Sequence, residues 1–157
     1  MIGAESRVKI FIKLITIGLI AGTVLAESLR LIYAITEVNA YNLLFNFDYI
    51  PIIGVYSNTS SWTGMTFHYF TCVASVVVSY YFFKKLKLEK EALPYISLFF
   101  VGSLMLYFLT GLSPEPPAWN DWVAFGFFGL SHLLYAVVVV KLIQIMINEL
   151  VSIDVKV

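Results

Sequence analysis

The sequence predicts an all-α membrane fold: a bundle of four transmembrane helices with the N-terminus and the C-terminus both cytoplasmic. Three observations carry that expectation. Apolar runs of about 20 residues begin near Leu14, Trp62, Leu93 and Trp122, each long enough as a helix to cross a ~30 Å hydrocarbon core. Hydrophobic residues make up 60% of the 157 and charged residues only 13%, against roughly 25% charged in soluble domains. The basic residues outside the runs all fall on one side of them. Arg7, Lys9 and Lys13 open the first run, Lys84, Lys85, Lys87 and Lys90 fill the second connection, and Lys141 and Lys156 end the chain. The connections 37–61 and 111–121 carry only acids (Glu37, Asp48, Glu115 and Asp121), so the bias of Lys and Arg toward the cytoplasm places these two outside. Trp62, Trp119 and Trp122 then stand where an outer aromatic belt belongs.

The expected organisation is one integral membrane domain over residues 1–157, with spans at about 13–35, 62–83, 93–109 and 122–145, the lengths a bilayer requires. The N-terminal apolar stretch is too long, and lacks the small-residue site, for a cleavable signal. Cys72 is the single cysteine and lies inside the second run, which excludes an internal disulfide and argues against a thiolate cluster. The net charge of zero carries no message, because the distribution matters more than the sum. The lipid bilayer is the expected partner, together with further copies or a larger membrane complex; no nucleic acid is expected.

In the first span Lys9 and Lys13 can snorkel to the headgroups. Gly18, Gly22 and Ala26 form a small-residue stripe at steps of four, which lets another helix of the bundle approach closely. Thr16, Thr23, Glu27, Arg30 and Glu37 form a second, polar stripe at steps of three, four and seven, expected to face inward or toward water. The segment Tyr41–Tyr56 follows, too apolar for a solvated loop and too interrupted by Asn42, Asn46, Asp48 and Pro51 to span. With Phe45, Asp48 and Pro51 at its centre, it reads as an interfacial lid over the outer mouth of the bundle. Asn58-Thr59-Ser60 matches a glycosylation acceptor, a match of little weight in a chain that looks bacterial.

The second span has its own stripe, His68, Cys72, Ser75 and Ser79. The short turn after it predicts an antiparallel hairpin with the third span. There Pro94 sits in the first turn, where its missing N–H is harmless. The third span offers only Ser97, Ser103, Tyr107 and Thr110 and reads as structural. The proline-rich segment after it forces a stiff outer turn. In the fourth span, Gly126, Gly129, His132 and Tyr135 follow at three-residue steps, which places them along one face, the two glycines serving helix packing.

Ionisable residues at membrane depth are costly, by ~2.5–3.5 kcal/mol, so each is a functional candidate. At ~1.5 Å per residue, Glu27 lies roughly 12–15 Å below the outer end of its helix, His68 about 9 Å below Trp62 and His132 about 15 Å below Trp122. Three helices thus deliver Glu27, His68 and His132 to similar depths, with Arg30 one turn above Glu27. The plainer reading is that Glu27 and Arg30 form an i,i+3 ion pair and that each histidine bonds a neighbour. A shared site could serve as a proton-responsive cluster, as a two-His-one-carboxylate metal site, or as bis-histidine haem ligation. No H-x-x-x-H or E-x-x-H spacing supports a metal, and no cofactor is assigned. Nucleophilic catalysis has no motif: G-x-S-x-G, H-E-x-x-H and paired intramembrane aspartates are all missing.

Thr16-Ile-Gly-Leu-Ile-Ala-Gly-Thr, Arg30, Thr36-Glu-Val-Asn, Gly64-Met-Thr-Phe-His68, Thr110-Gly-Leu-Ser-Pro and Gly129-Leu-Ser-His132 occur in this order over most of the chain. In this the sequence resembles the YqhR/YagU-type small bacterial membrane proteins. The resemblance implies a four-helix protein of the bacterial cytoplasmic membrane and a link to acid tolerance; it brings no catalytic or binding residues with it. The expected function is therefore non-enzymatic, a small membrane protein with an outward-facing, proton-sensitive cluster. The alternatives are an accessory subunit of a larger complex and an intramembrane enzyme or metal- or haem-binding redox protein.

Overall fold

A computed structural model of the chain describes residues 4–45, 61–113 and 115–147. Helices α1 (Ala4–Thr36), α2 (Ser61–Lys85), α3 (Ala92–Tyr107) and α4 (Trp122–Met146) make up most of them, with 3-10 segments at Tyr41–Leu44 and Phe108–Leu112. No strand occurs among the described residues. All four helices are long and apolar enough to cross a membrane, over Arg7–Thr36, Trp62–Lys85, Ala92–Leu112 and Trp122–Met146. The chain is by composition a multi-pass membrane protein.

The helices alternate in direction. Lys13 near the start of α1 donates to the Met146 carbonyl at the end of α4. At the other end, the Tyr107 hydroxyl that closes α3 lies 3.1 Å from the Ala118 carbonyl and 2.9 Å from that of Asp121. Local chemistry sets the boundaries. Asp121 precedes the apolar run of α4, and its carboxylate accepts from Val123 and Ala124 N–H at 3.1 and 3.0 Å, an N-cap that satisfies two otherwise orphaned donors. α2 ends where Lys87 turns left-handed at φ 60°. There Leu88 N–H reaches back to the Phe83 carbonyl and Lys87 N–H to that of Lys84, the paired bonds of a Schellman stop.

Two helix seams depend on small residues. In a bilayer, helices gain no hydrophobic drive to associate, so close approach and dispersion must hold them. A Cβ on Gly18 would lie 2.6 Å from Val73 Cα, and one on Gly22 would lie 3.1 Å from Cys72 Cβ. The stripe Gly18, Gly22, Ala26 thus presses α1 onto α2 within the bundle, with Ala26 buried. Beside it, Leu14, Ile17, Ala21, Leu25 and Leu29, at helical steps of three and four, are buried in the core. Gly129 faces α3 from α4, where a Cβ would meet the tip of the Leu104 side chain at 2.8 Å. Gly126 does not pack: it is exposed, with nothing within 4 Å of a Cβ. A step of three residues turns about 300°, which carries Gly126 off the face that Gly129 presents.

The packed seams are α1 with α2, α1 with α4 and α3 with α4. The expected hairpin of α2 and α3 is corrected here. Their connection is short and its base is clasped, by an edge-on contact of the Phe83 and Tyr95 rings at 4.6 Å and by Tyr95 donating to the Glu89 carbonyl. Beyond that clasp the two helices form no seam and a cavity lies between them. A short turn keeps helix ends adjacent, but contact further along needs matched surfaces, and these two offer each other Ser79, Ser103 and Gly102 across a gap.

Candidate functional site

The cavity holds about 480 Å³, within the roughly 300–1,000 Å³ common for small-molecule sites. One wall is α2 from Phe67 to Phe82 and the facing wall is α3 from Leu98 to Leu106; Phe128, His132 and Tyr135 of α4 close the back. Leu43 and Leu44 of the first 3-10 segment also line it, at the end away from the clasp. Its flanks reach the outside of the bundle. Val78 and Phe82 on α2 and Leu98 and Leu106 on α3 line it while remaining 67%, 55%, 46% and 53% exposed. The mouth therefore opens sideways between α2 and α3, over a surface that is apolar on both rims.

Set into this apolar lining are two histidines, a thiol and five hydroxyls, and among the residues that line it are no Asp, Glu, Lys or Arg. The α2 stripe His68, Cys72, Ser75 and Ser79 faces the cavity along its length. His68 is buried, with Nε2 3.0 Å from the Gly22 carbonyl across the α1 seam and both ring nitrogens 3.8 Å from Cys72 Sγ. His132 is half-buried; its Nδ1 lies 2.9 Å from the Phe128 carbonyl one turn back and its ring sits tilted against Phe128 with centroids 4.2 Å apart. Tyr135 reaches across from α4 to α2, with its hydroxyl 3.1 Å from the Cys72 carbonyl and 3.0 Å from Ser75 Oγ. That tie braces the back of the cavity, and Phe99 packs edge-on against the same Tyr135 ring at 5.2 Å.

His68 and His132 thus share one cavity, and Glu27 and Arg30 lie elsewhere. The α1 polar stripe, expected to face inward or toward water, does not bring Glu27 to the two histidines. Glu27 and Arg30 are on the exposed face of α1, 56% and 64% exposed, joined by a 2.6 Å ion pair. Thr16, Thr23 and Thr36 donate to the carbonyls of Ile12, Leu19 and Ile32. Thr23 also meets the Tyr69 hydroxyl of α2 at 3.0 Å, and the other bonds of the stripe stay within α1, so nothing forces it into the core; the inward face goes to Leu14, Ile17, Ala21 and Leu25, which are buried.

A two-His-one-carboxylate set is accordingly not assembled; among the described residues no three His, Cys, Asp or Glu side chains stand close enough to hold a metal. Haem ligation is poorly served: with Nε2 held on the Gly22 carbonyl, His68 has only Nδ1 left, and that lies 3.8 Å from Cys72 Sγ. The small residue nearest His132, Gly129, is filled by Leu104 rather than left open for a porphyrin.

Of the expected lid, Asp48 and Pro51 lie outside the described residues, as do Asn58, Thr59 and Ser60. The described part, Tyr41–Phe45, sits against α1 and α2. Leu43 and Leu44 are buried over the cavity, and Phe45 packs so closely on α2 that a Cβ on Gly64 would lie 2.7 Å from its carbonyl oxygen. The Tyr41 phenol is held above the ordinary tyrosine range, first by burial and then by the Glu27 carboxylate, with Arg30 opposing.

Helix α3 contributes more than the sequence suggested. Phe99, Gly102, Ser103 and Leu106 make up a full wall of the cavity, and Gly102 has open space where a Cβ would go. The adjacent small pair Gly102-Ser103 in mid-span was the available signal. No family model, no curated protein and no solved structure matches the chain.

Proposed function

We propose that this protein is a non-enzymatic binding protein of the bacterial cytoplasmic membrane, with both termini inside, that holds a lipid-soluble amphiphile between α2 and α3. One observation carries the reading: the helix pair with the short connection is parted by a 480 Å³ cavity that is apolar at the rims, polar at the back and open sideways. In a bilayer such a mouth faces acyl chains, so a ligand dissolved in the membrane can enter without crossing water. The two histidines lining one space, with no carboxylate in the lining, favour a pH-responsive form of the same site. Protonating either would place an uncompensated charge beside the ligand, which the apolar lining opposes. This is the form in which the acid-tolerance expectation attaches to the molecule.

The test is extraction in mild detergent or polymer discs, followed by mass spectrometry of the bound small molecules for the wild type and for Gly102→Leu. The wild type should carry one amphiphile in near-stoichiometric amount and release it on acidification. Gly102→Leu, whose side chain enters open space in the cavity, should fold and carry none. An empty wild type, or a variant as loaded as the wild type, contradicts the proposal.

A further inference from the structure

The hydrogen bonds of the cavity wall define the polarity of what can fill it. A carbonyl oxygen only accepts, so a ring nitrogen bonded to one must carry the proton, and a neutral imidazole has a single N–H. His68 therefore donates from Nε2 to Gly22, and His132 from Nδ1 to Phe128. The lone pair of His132 Nε2 is left over, on the ring edge away from its own backbone, with no partner among the described residues. The hydroxyls behave alike. Thr71, Ser79 and Ser103 donate to the carbonyls of His68, Val76 and Phe100, while Ser75 and Tyr135 share the Cys72 carbonyl. The donors are spent inside the protein, and the wall offers acceptors.

Charge narrows the choice further. No acidic or basic side chain lines the cavity, so an ionised headgroup would be buried without a counter-charge, which apolar surroundings oppose strongly. Shape adds a third constraint. The α2 wall from Phe67 to Phe82 is about 22 Å long at ~1.5 Å per residue, and its end near Phe82 and Leu98 is lined by apolar side chains.

We propose that the ligand is an uncharged long-chain alcohol or phenol whose hydroxyl donates to His132 Nε2, with its chain along α2 toward Phe82 and Leu98. This rests on the cavity being a ligand site, and the test separates the two claims. The full chain in lipid discs is titrated with tritiated dodecanol, dodecyl methyl ether, and dodecanoate at a pH where it is ionised. The ether keeps the chain and loses only the donor. Dodecanol should bind about five- to tenfold tighter than the ether, the worth of one hydrogen bond, and dodecanoate weakest. His132→Phe should bring the alcohol-to-ether ratio to about one without abolishing binding. In the wild type, the ¹⁵N resonance of His132 Nε2 should shift on adding dodecanol and stay in place with the ether, a readout that needs no variant to fold. Equal binding of alcohol and ether, preference for dodecanoate, or a preference that survives in His132→Phe overturns the hydroxyl assignment. If Gly102→Leu still blocks all the probes in that case, the cavity reading stands. If no probe binds the wild type, or Gly102→Leu changes nothing, both claims fall.

Discussion

Helix α2 faces α1 on one side and α3 on the other, and the two faces are built on opposite rules. Toward α1, Val73 and Cys72 fit closely against Gly18 and Gly22: an added Cβ would lie 2.6 Å from Val73 Cα at Gly18 and 3.1 Å from Cys72 Cβ at Gly22. Toward α3 stand Ser75, Ser79 and His68, and a Cβ added to Gly102 opposite them would meet nothing within 4 Å. The α1–α2 connection is the long one and the α2–α3 connection the short one, so packing here follows surface fit and not proximity in sequence. The contrast also shows that a glycine in a membrane helix can do two opposite things: Gly18 removes the space between helices, and Gly102 leaves space for something else.

The same substitution at the two glycines breaks or sharpens that contrast. Gly18→Ala should destabilise by about 1–3 kcal/mol, the usual cost of overpacking, because the atom it meets is Val73 Cα rather than a flexible tip. Chemical or thermal unfolding in detergent reads it directly. Next in size is the outer face of α1. Arg30→Ala strips Glu27 of its 2.6 Å partner and should cost less than the ~2.5–3.5 kcal/mol of a charge at the bilayer centre, since Glu27 lies toward the helix end. The double change Glu27→Gln, Arg30→Gln should be milder than Arg30→Ala alone when stability is measured in bilayers. If Arg30→Ala is harmless there, that face meets water or a protein partner instead of lipid. The smallest effect has the opposite sign. Gly102→Ala should stabilise by about 0.5–1 kcal/mol through helix propensity alone; a loss at Gly102 comparable to that at Gly18 would mean that α3 is packed there after all.

Much of this was legible in the sequence, for identifiable reasons. The four helices follow from apolar run length, which a bilayer makes nearly decisive, although α1 begins at Ala4, upstream of its apolar run, and α3 gives way to 3-10 geometry after Tyr107. The inward face of α2 was legible from His68, which reaches the Gly22 carbonyl across the α1 seam, whereas Ser75 and Ser79 close on carbonyls of their own helix. The Glu27–Arg30 face was legible only as two alternatives, of which the structure shows the ion pair: an i,i+3 pair closes on itself, so its polarity says nothing about direction. Asp121 reads in the sequence as a solvated loop acid, although a carboxylate directly before an apolar run is an N-cap signal and the structure uses it so. The gap between α2 and α3 was illegible, because it depends on how two side-chain surfaces fail to match, and turn length does not report that.

The central claim is that the α2–α3 cavity is open to the bilayer while the α1–α2 seam is closed. A bilayer-soluble diazirine, photolysed in membranes and mapped by peptide mass spectrometry, tests it on the wild-type chain. Carbene insertion should reach Ser103 and His132 in the cavity, although Ser103 is only 2% exposed. It should spare Ile17 and Ala21 on α1, which are 0% exposed. Gly102→Leu should erase the cavity insertions and leave labelling of the outer helix faces unchanged. Cavity residues as silent as those of α1 in the wild type would contradict the account.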